Sequence, residues 1–198
     1  GYSLNEYALT GVKDESPKLP CRDEAELFKA MGLEYIPPEL REDSGEFEAA
    51  EAGTLPKLIE DGDLTGTFHC HSDWSDGEAT LEEMAEGARE LGMQYLGIGD
   101  HSRSLAMARG LTIDRVHDQW ARIDALNAKF GKEFRLFKGT ECDILGDGSL
   151  DFPDEVLAGF DYVVASVHSR FKMSRDEMTA RIIRAISNPH VTMLGHAT

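Results

Sequence analysis

Five short apolar runs in this chain each end in a side chain of the kind that binds metal ions. They are Thr67-Phe68-His69-Cys70-His71, Leu96-Gly97-Ile98-Gly99-Asp100-His101, Phe137-Lys138-Gly139-Thr140-Glu141, Val163-Val164-Ala165-Ser166-Val167-His168 and Val191-Thr192-Met193-Leu194-Gly195-His196. Runs of this length read as buried strands. Between them lie helical stripes: Leu81, Met84, Ala85, Ala88 and Leu91 follow three- and four-residue steps, as do Val116, Trp120, Ile123, Leu126 and Phe130. A third stripe, Met178, Ile182, Ile183 and Ile186, stops at Asn188-Pro189, which opens the last strand. Strands alternating with helices predict parallel βαβ units, hence an α/β fold that is either an open sheet or an incomplete barrel. Ligands at the C-terminal ends of such strands gather on one rim. Chance would scatter them among the helices, so the pattern points to a multinuclear metal site and to hydrolysis.

The 198 residues suffice for one domain with an appendage, and the boundary is visible: residues 1–63 are polar and irregular, whereas the strand–helix rhythm fills 64–198. In the first part Tyr2-Ser3-Leu4-Asn5-Glu6-Tyr7-Ala8-Leu9 predicts a short strand, and the stretch through Pro17 and Pro20 a loop. Asp23 is placed to cap a helix from Glu24 to Met31 that Gly32 closes. Ile36-Pro37-Pro38-Glu39-Leu40-Arg41-Glu42 reads as an extended arm, and 45–53 as loosely helical. No apolar stretch approaches the roughly 20 residues of a membrane span, and no signal peptide is present, so a cytoplasmic protein without a membrane partner is expected. Cys21, Cys70 and Cys142 are too scattered for a disulfide framework and read as free thiols. The net charge of −17 argues against gathering nucleic acid by bulk positive potential, but bound cations can supply local positive charge for a phosphate.

The ligand set can be read residue by residue. In His69-Cys70-His71 the strand period of two puts both imidazoles on one face and Cys70 on the other. The following loop, Ser72-Asp73-Trp74-Ser75-Asp76-Gly77, supplies the carboxylate of Asp76, which taken alone is an ordinary Asp-Gly turn. In Asp100-His101 one side chain suits a metal and its neighbour suits orienting a ligand. Glu141 has two oxygens and so suits a bridge between metals, and His168 and His196 complete the set. His117, inside a helix, and His190, before the last strand, lie at the wrong ends of their elements. Cys142 should point away from Glu141 into the core, and Asp143, Asp147 and Asp151 read as solvated residues around Gly146-Asp147-Gly148. Arg103, Arg109, Arg170 and Lys172 follow candidate ligands on loops, where a basic side chain can clamp phosphate. Neither a Gly-x-x-x-x-Gly-Lys loop nor a Gly-x-Ser-x-Gly elbow occurs, which leaves metal-activated water as the nucleophile these residues suggest.

These residues resemble a known family. His69-Cys70-His71-Ser72, Trp74-Ser75-Asp76-Gly77, Gly99-Asp100-His101-Ser102, Gly139-Thr140-Glu141-Cys142-Asp143-Ile144, Ser166-Val167-His168-Ser169 and Leu194-Gly195-His196 look like the motifs of the PHP (polymerase and histidinol phosphatase) domain. In order and spacing they look most like the PHP domain attached to bacterial family X DNA polymerases, and Leu4-Asn5-Glu6-Tyr7 with residues 35–42 look like the end of that polymerase's thumb and its linker. The resemblance implies a distorted (β/α)7 barrel, incomplete here, with two or three divalent metals, usually Zn²⁺ or Mn²⁺ with Fe²⁺ also suited. It implies His69, His71 and bridging Glu141 for one metal, Glu141, His168 and His196 for a second, and Asp76 and His101 for a third. It places Asp100 behind the ligands; Glu141, His101 and Arg170 are expected in the catalytic set, with Arg103, Arg170 or Lys172 steadying phosphate. The implied activity is 3′ to 5′ exonuclease and 3′-end processing of DNA in repair, with upstream polymerase domains as partners; a histidinol-phosphate type of phosphatase and a non-catalytic module are the alternatives. The family's closing Asp-x-His motif would follow Thr198 and the polymerase palm would precede Gly1, so the chain reads as part of a longer protein.

Overall fold

The computed structural model describes residues 2–5, 8–11 and 21–197. Two compact units separate, Gly1–Ile59 and Glu60–Thr198.

In the first unit β1 (Tyr2–Asn5) and β2 (Ala8–Gly11) pair antiparallel, with Leu4 opposite Leu9. The single strand expected across 2–9 is therefore two strands of a hairpin; the loop expected through Pro17 and Pro20 lies outside the described residues. Helix α1 (Glu24–Ala30) begins where the Asp23 carboxylate accepts the Glu26 N–H at 2.9 Å, and Gly32 follows its end at φ 75°. The expected extended arm instead contains a 3₁₀ turn, Pro38–Leu40. Proline at a first helical position loses no hydrogen bond and arrives with its φ preset, so Pro38 opens a turn rather than stiffening an arm. Helix α2 (Glu46–Glu51) is set by Glu46, whose carboxylate accepts the N–H groups of Asp43 and Ser44 at 2.9 and 2.7 Å. Ile36 and Glu46 are the buried residues among those described in this unit.

The second unit is built on five parallel strands: β3 (Gly66–Cys70), β4 (Tyr95–Ile98), β5 (Arg135–Asp143), β6 (Tyr162–Ser166) and β7 (Met193–Leu194). Their order in the sheet is their order in the chain. A doubly wound sheet reverses direction part-way, whereas winding always in one sense curls the sheet into an arc of barrel. The helices α3 (Leu81–Glu90), α4 (Ile113–Phe130), α5 (Asp154–Leu157) and α6 (Arg175–Ile186) provide the crossovers. Thr80 with Glu83 and Ser174 with Glu177 form capping boxes that fix where α3 and α6 start.

One core packs Leu81, Ala85 and Ala88 of α3 and Ile123, Leu126 and Phe130 of α4 on Leu96, Ile98 and Leu136. Another packs Val116, Phe152, Val156 and Leu157 around Cys142 and Val163. Cys142 thus lies in the core as expected. Leu91 does not belong to its stripe: it sits at the cap of α3, 76% exposed. In α6 the buried residues are Arg181 and Ala185, while Ile183 and Ile186 are exposed, which corrects the predicted face. The reason is polar. Arg181 donates to the carbonyls of Ile144, Leu145 and Ser169, so α6 docks by satisfying backbone groups of two loops. Among the described residues no helix is long and apolar enough to cross a membrane.

Asn127 joins α4 to the start of β5: its amide donates to Leu136 C=O at 2.9 Å and its carbonyl accepts Leu136 N–H at 2.8 Å. Replacing Asn127 with Ala strands both groups at a fully buried residue, and a urea titration should show a loss of about 1–3 kcal/mol. An unshifted midpoint would show that the pair contributes nothing.

Candidate metal centre

The C-terminal ends of the strands converge on Glu141, which is 1% exposed. Its N–H donates to the Gly99 and Asp100 carbonyls at 3.2 and 3.1 Å, and its carbonyl accepts the Ser102 N–H at 3.0 Å, so the chain beyond β4 runs beside it and delivers His101. One carboxylate oxygen, Oε2, lies 3.1 Å from His69 Nε2, 3.3 Å from His71 Nε2 and 3.2 Å from His101 Nδ1. The other, Oε1, lies 3.1 Å from His168 Nε2 and 2.8 Å from His196 Nε2. Asp76 flanks the group, with Oδ1 2.9 Å from His71 Nδ1 and Oδ2 3.4 Å from His101 Nε2. The structure therefore brings together His69, His71, Asp76, His101, Glu141, His168 and His196, around an open basin of about 640 Å³ that Gly77 and Leu105 also line.

His69 and His71 meet by a route that simple alternation does not describe. The β3–β4 register shifts between Thr67 and Cys70, and His69 sits at φ 63°, in the left-handed region. For a residue with a Cβ this costs on the order of 1–3 kcal/mol and persists where surrounding contacts enforce it. Across this bulge the two rings still lie side by side, with centroids 5.2 Å apart.

Asp100, expected behind the ligands, faces away from Glu141. Its carboxylate accepts Ser72 N–H at 2.8 Å, Ser72 O–H at 2.6 Å, Ser75 O–H at 2.5 Å and Gln119 Nε2–H at 2.6 Å. What it holds is the loop that carries Asp76, with Gln119 of α4 as backing.

Asp143 is the candidate site residue that the sequence reading does not point to. It is buried rather than solvated, and one of its carboxylate oxygens lies 2.5 Å from His168 Nδ1. A carboxylate there fixes the ring and its Nδ1 proton, leaving Nε2 towards Glu141. The signal was present: Glu141 and Asp143 are two apart on one strand, so they share a face. Asp151 is also buried, holding Ser104 N–H at 2.7 Å and the Arg103 guanidinium at 3.2 Å. Asp147 alone of the three stays exposed.

Of the basic candidates, Arg103 is engaged with Asp151, and Arg109 and Lys172 are exposed. Arg170 is exposed at φ 56°, with its side chain against Gly146, and is not among the residues lining the basin. His117 on α4 stacks near Trp120, and the N–H of His190 donates to Asn188; neither lines the basin.

Burial by itself raises the Glu141 carboxyl, but bonds from His168 and His69 outweigh it and hold the group well below the usual carboxylate range. Asp143, then Glu141, raise His168 to about 9. Burial lowers His101. Burial by itself would raise the Asp76 carboxyl, but the bond from His71 together with the charges of His101 and His71 lowers it.

The residues fit a metal cluster. Three triads each bring ligand atoms within 4.8 Å of one another: His69, His71 and Glu141; His71, Asp76 and His101; and His101, Glu141 and His168. The Nδ1 atom of His101 is buried without a hydrogen-bond partner although it faces Glu141, which is what a nitrogen reserved for a cation looks like. Imidazole and carboxylate donors without thiolate suit Zn²⁺, Mn²⁺ or Fe²⁺.

Family models match in two places: that of the DNA polymerase beta thumb over residues 1–42, and that of the PHP domain over residues 67–193. The DNA polymerase/3′-5′ exonuclease PolX of Bacillus subtilis is 43% identical over 198 residues, 100% of this chain and 34% of that protein. A probable phosphatase of a Thermoanaerobacter species is 31% identical over 134 residues, 65% of this chain and 51% of the relative. A crystal structure of histidinol phosphate phosphatase from Lactococcus lactis, determined with zinc, L-histidinol and phosphate, aligns with a TM-score of 0.41 at 20% identity, covering 54% of this chain and 41% of that one. The chain thus spans between a third and about half of the length of these curated relatives.

Exchanging Asp100 for Asn leaves four donors facing one acceptor oxygen and an amide that repels them. A loss of about 2–4 kcal/mol in a urea titration is expected, with faster proteolysis within 72–77. Wild-type cleavage of that loop would show that Asp100 does not hold it.

Proposed function

The chain belongs to the PHP domain family, and on that premise we propose that it is a divalent-metal-dependent phosphoesterase acting on the 3′ ends of DNA. The observation that carries the hydrolase reading is the convergence of five imidazoles and Asp76 around one buried carboxylate at an open rim. The DNA reading draws its support from the thumb match over 1–42 and from the similarity, across the whole chain, to a protein named as polymerase and 3′-5′ exonuclease.

In this proposal His69 and His71 share one metal with Glu141, His168 and His196 share a second with it, and Asp76 and His101 hold a third. Two or three divalent cations of the Zn²⁺ or Mn²⁺ type would supply activated water and a clamp for phosphate oxygens. Glu141 offers Oε2 to one side and Oε1 to the other, so it ties the two sides together. Asp143 fixes the tautomer of His168, and Asp76, touching His71 and His101, aligns both rings. Among the described residues no Arg or Lys lines the basin, so the positive charge that attracts phosphate has to arrive with the cations. Arg170, two residues beyond His168 and exposed, is proposed to steady a longer strand outside the basin.

A second reading, a small-molecule phosphatase, draws support from the probable phosphatases, which match about two thirds of the chain.

Elemental analysis after dialysis against Mn²⁺ or Zn²⁺ should find two or three equivalents, falling in the His69→Ala variant. Glu141→Gln, which keeps the volume, should lower metal-dependent release from a 3′-recessed duplex by about 100-fold or more. Cleavage of p-nitrophenyl phosphate without release from the duplex would favour the small-molecule reading, and metal content unchanged in both variants would overturn the ligand assignment.

A further inference from the structure

We propose that Tyr162 is a positioning residue that holds the β3 bulge and thereby aims His69 at Glu141. The proposal rests on reading His69 as a metal ligand.

A bulge takes an amide out of the ladder, and a buried N–H without an acceptor is unfavourable. In β3 the amide concerned is that of His69, and it donates to the Tyr162 hydroxyl at 3.1 Å. The hydroxyl in turn donates to the Ile98 carbonyl at 2.7 Å. One oxygen therefore fixes the residue at φ 63° to the strand beside it. Tyr162 opens β6, separated from β3 by two strands, so its ring crosses under β5 and β4 to make these bonds.

Glycines clear the path. A Cβ at Gly139 would lie 2.2 Å from the Tyr162 ring, one at Gly97 would lie 2.8 Å from its hydroxyl, and one at Gly99 would lie 3.0 Å from the His69 Cα. Phe68 packs edge-on against the ring with centroids 5.0 Å apart, and Tyr162 is itself buried, so water does not compete for its hydroxyl. Burial raises the phenol far above its ordinary range, which keeps the proton that Ile98 accepts. A tyrosine retained only to fill the core would not need its hydroxyl, and phenylalanine separates the two roles.

The test compares the full chain with its Tyr162→Phe and His69→Ala variants. In the metal-free protein, hydrogen exchange at the His69 amide should accelerate about tenfold or more in Tyr162→Phe while amides of α3 and α4 keep their rates. On titration with Mn²⁺, free ion being read by electron paramagnetic resonance, the site lost in His69→Ala should weaken by about 10- to 100-fold in Tyr162→Phe. Wild-type Mn²⁺ affinity in Tyr162→Phe, with the site absent from His69→Ala, would overturn the proposal and leave the ligand reading intact. Wild-type affinity in His69→Ala would instead remove the ligand reading, and the His69 exchange rate would still decide whether Tyr162 holds the bulge. Should Tyr162→Phe not fold, Gly99→Ala, which presses on His69 with Tyr162 in place, should weaken the same site; unaltered Mn²⁺ binding there would count against the bulge as its determinant.

Discussion

A single buried carboxylate with five imidazoles around it organises this molecule. Glu141 can lie at 1% exposure only because ring nitrogens compensate the desolvation of its charge, and those nitrogens reach it only because four other strand ends arrive at the same place. The parallel arc, wound in one sense, is the arrangement that brings successive C-terminal ends side by side. Tight packing of α3 and α4 beneath then fixes the heights of β4 and β5, so that His101 and Glu141 pair across a bridge. The fold and the site are one constraint seen from two ends.

Much of this was legible in the sequence because it was written in local patterns. Apolar runs closed by His, Asp or Glu gave the strands and their polarity, and helical steps gave α3 and α4. What escaped depends on pairing between distant residues. Asp143 looked like part of a turn until His168 was seen against it. The face of α6 was misread because an arginine bonded to three carbonyls can be the inside of a helix, which a hydrophobicity pattern cannot register. The 3₁₀ turn at Pro38 shows the same limit: proline restricts φ in an arm and in a helical start alike, and only the bond from Arg41 N–H to Pro38 C=O decides between them.

The electrostatics carry a tension that the geometry resolves. A chain of net charge −17 repels a phosphate ester at long range, and among the described residues no lysine or arginine lines the basin. Imidazoles are nevertheless the majority of the donors, so a cluster of divalent ions held there would keep most of its charge rather than have it cancelled by carboxylates. The basin is then positive only when loaded, within an envelope that stays acidic. On the proposed function, selection for phosphate would thereby be coupled to metal occupancy.

The loop from Ser72 to Gly77 takes its shape from Asp100 and Gln119, groups that face the helices and not the basin. Its conformation is therefore determined independently of whatever Asp76 comes to bind. On the proposed ligand set, an ion reaching Asp76 would not have to fold the loop around itself, only to shed its own water. On the same ligand set, capture at that position would be governed by the dehydration of the ion, favouring ions that give up water readily over those that hold it.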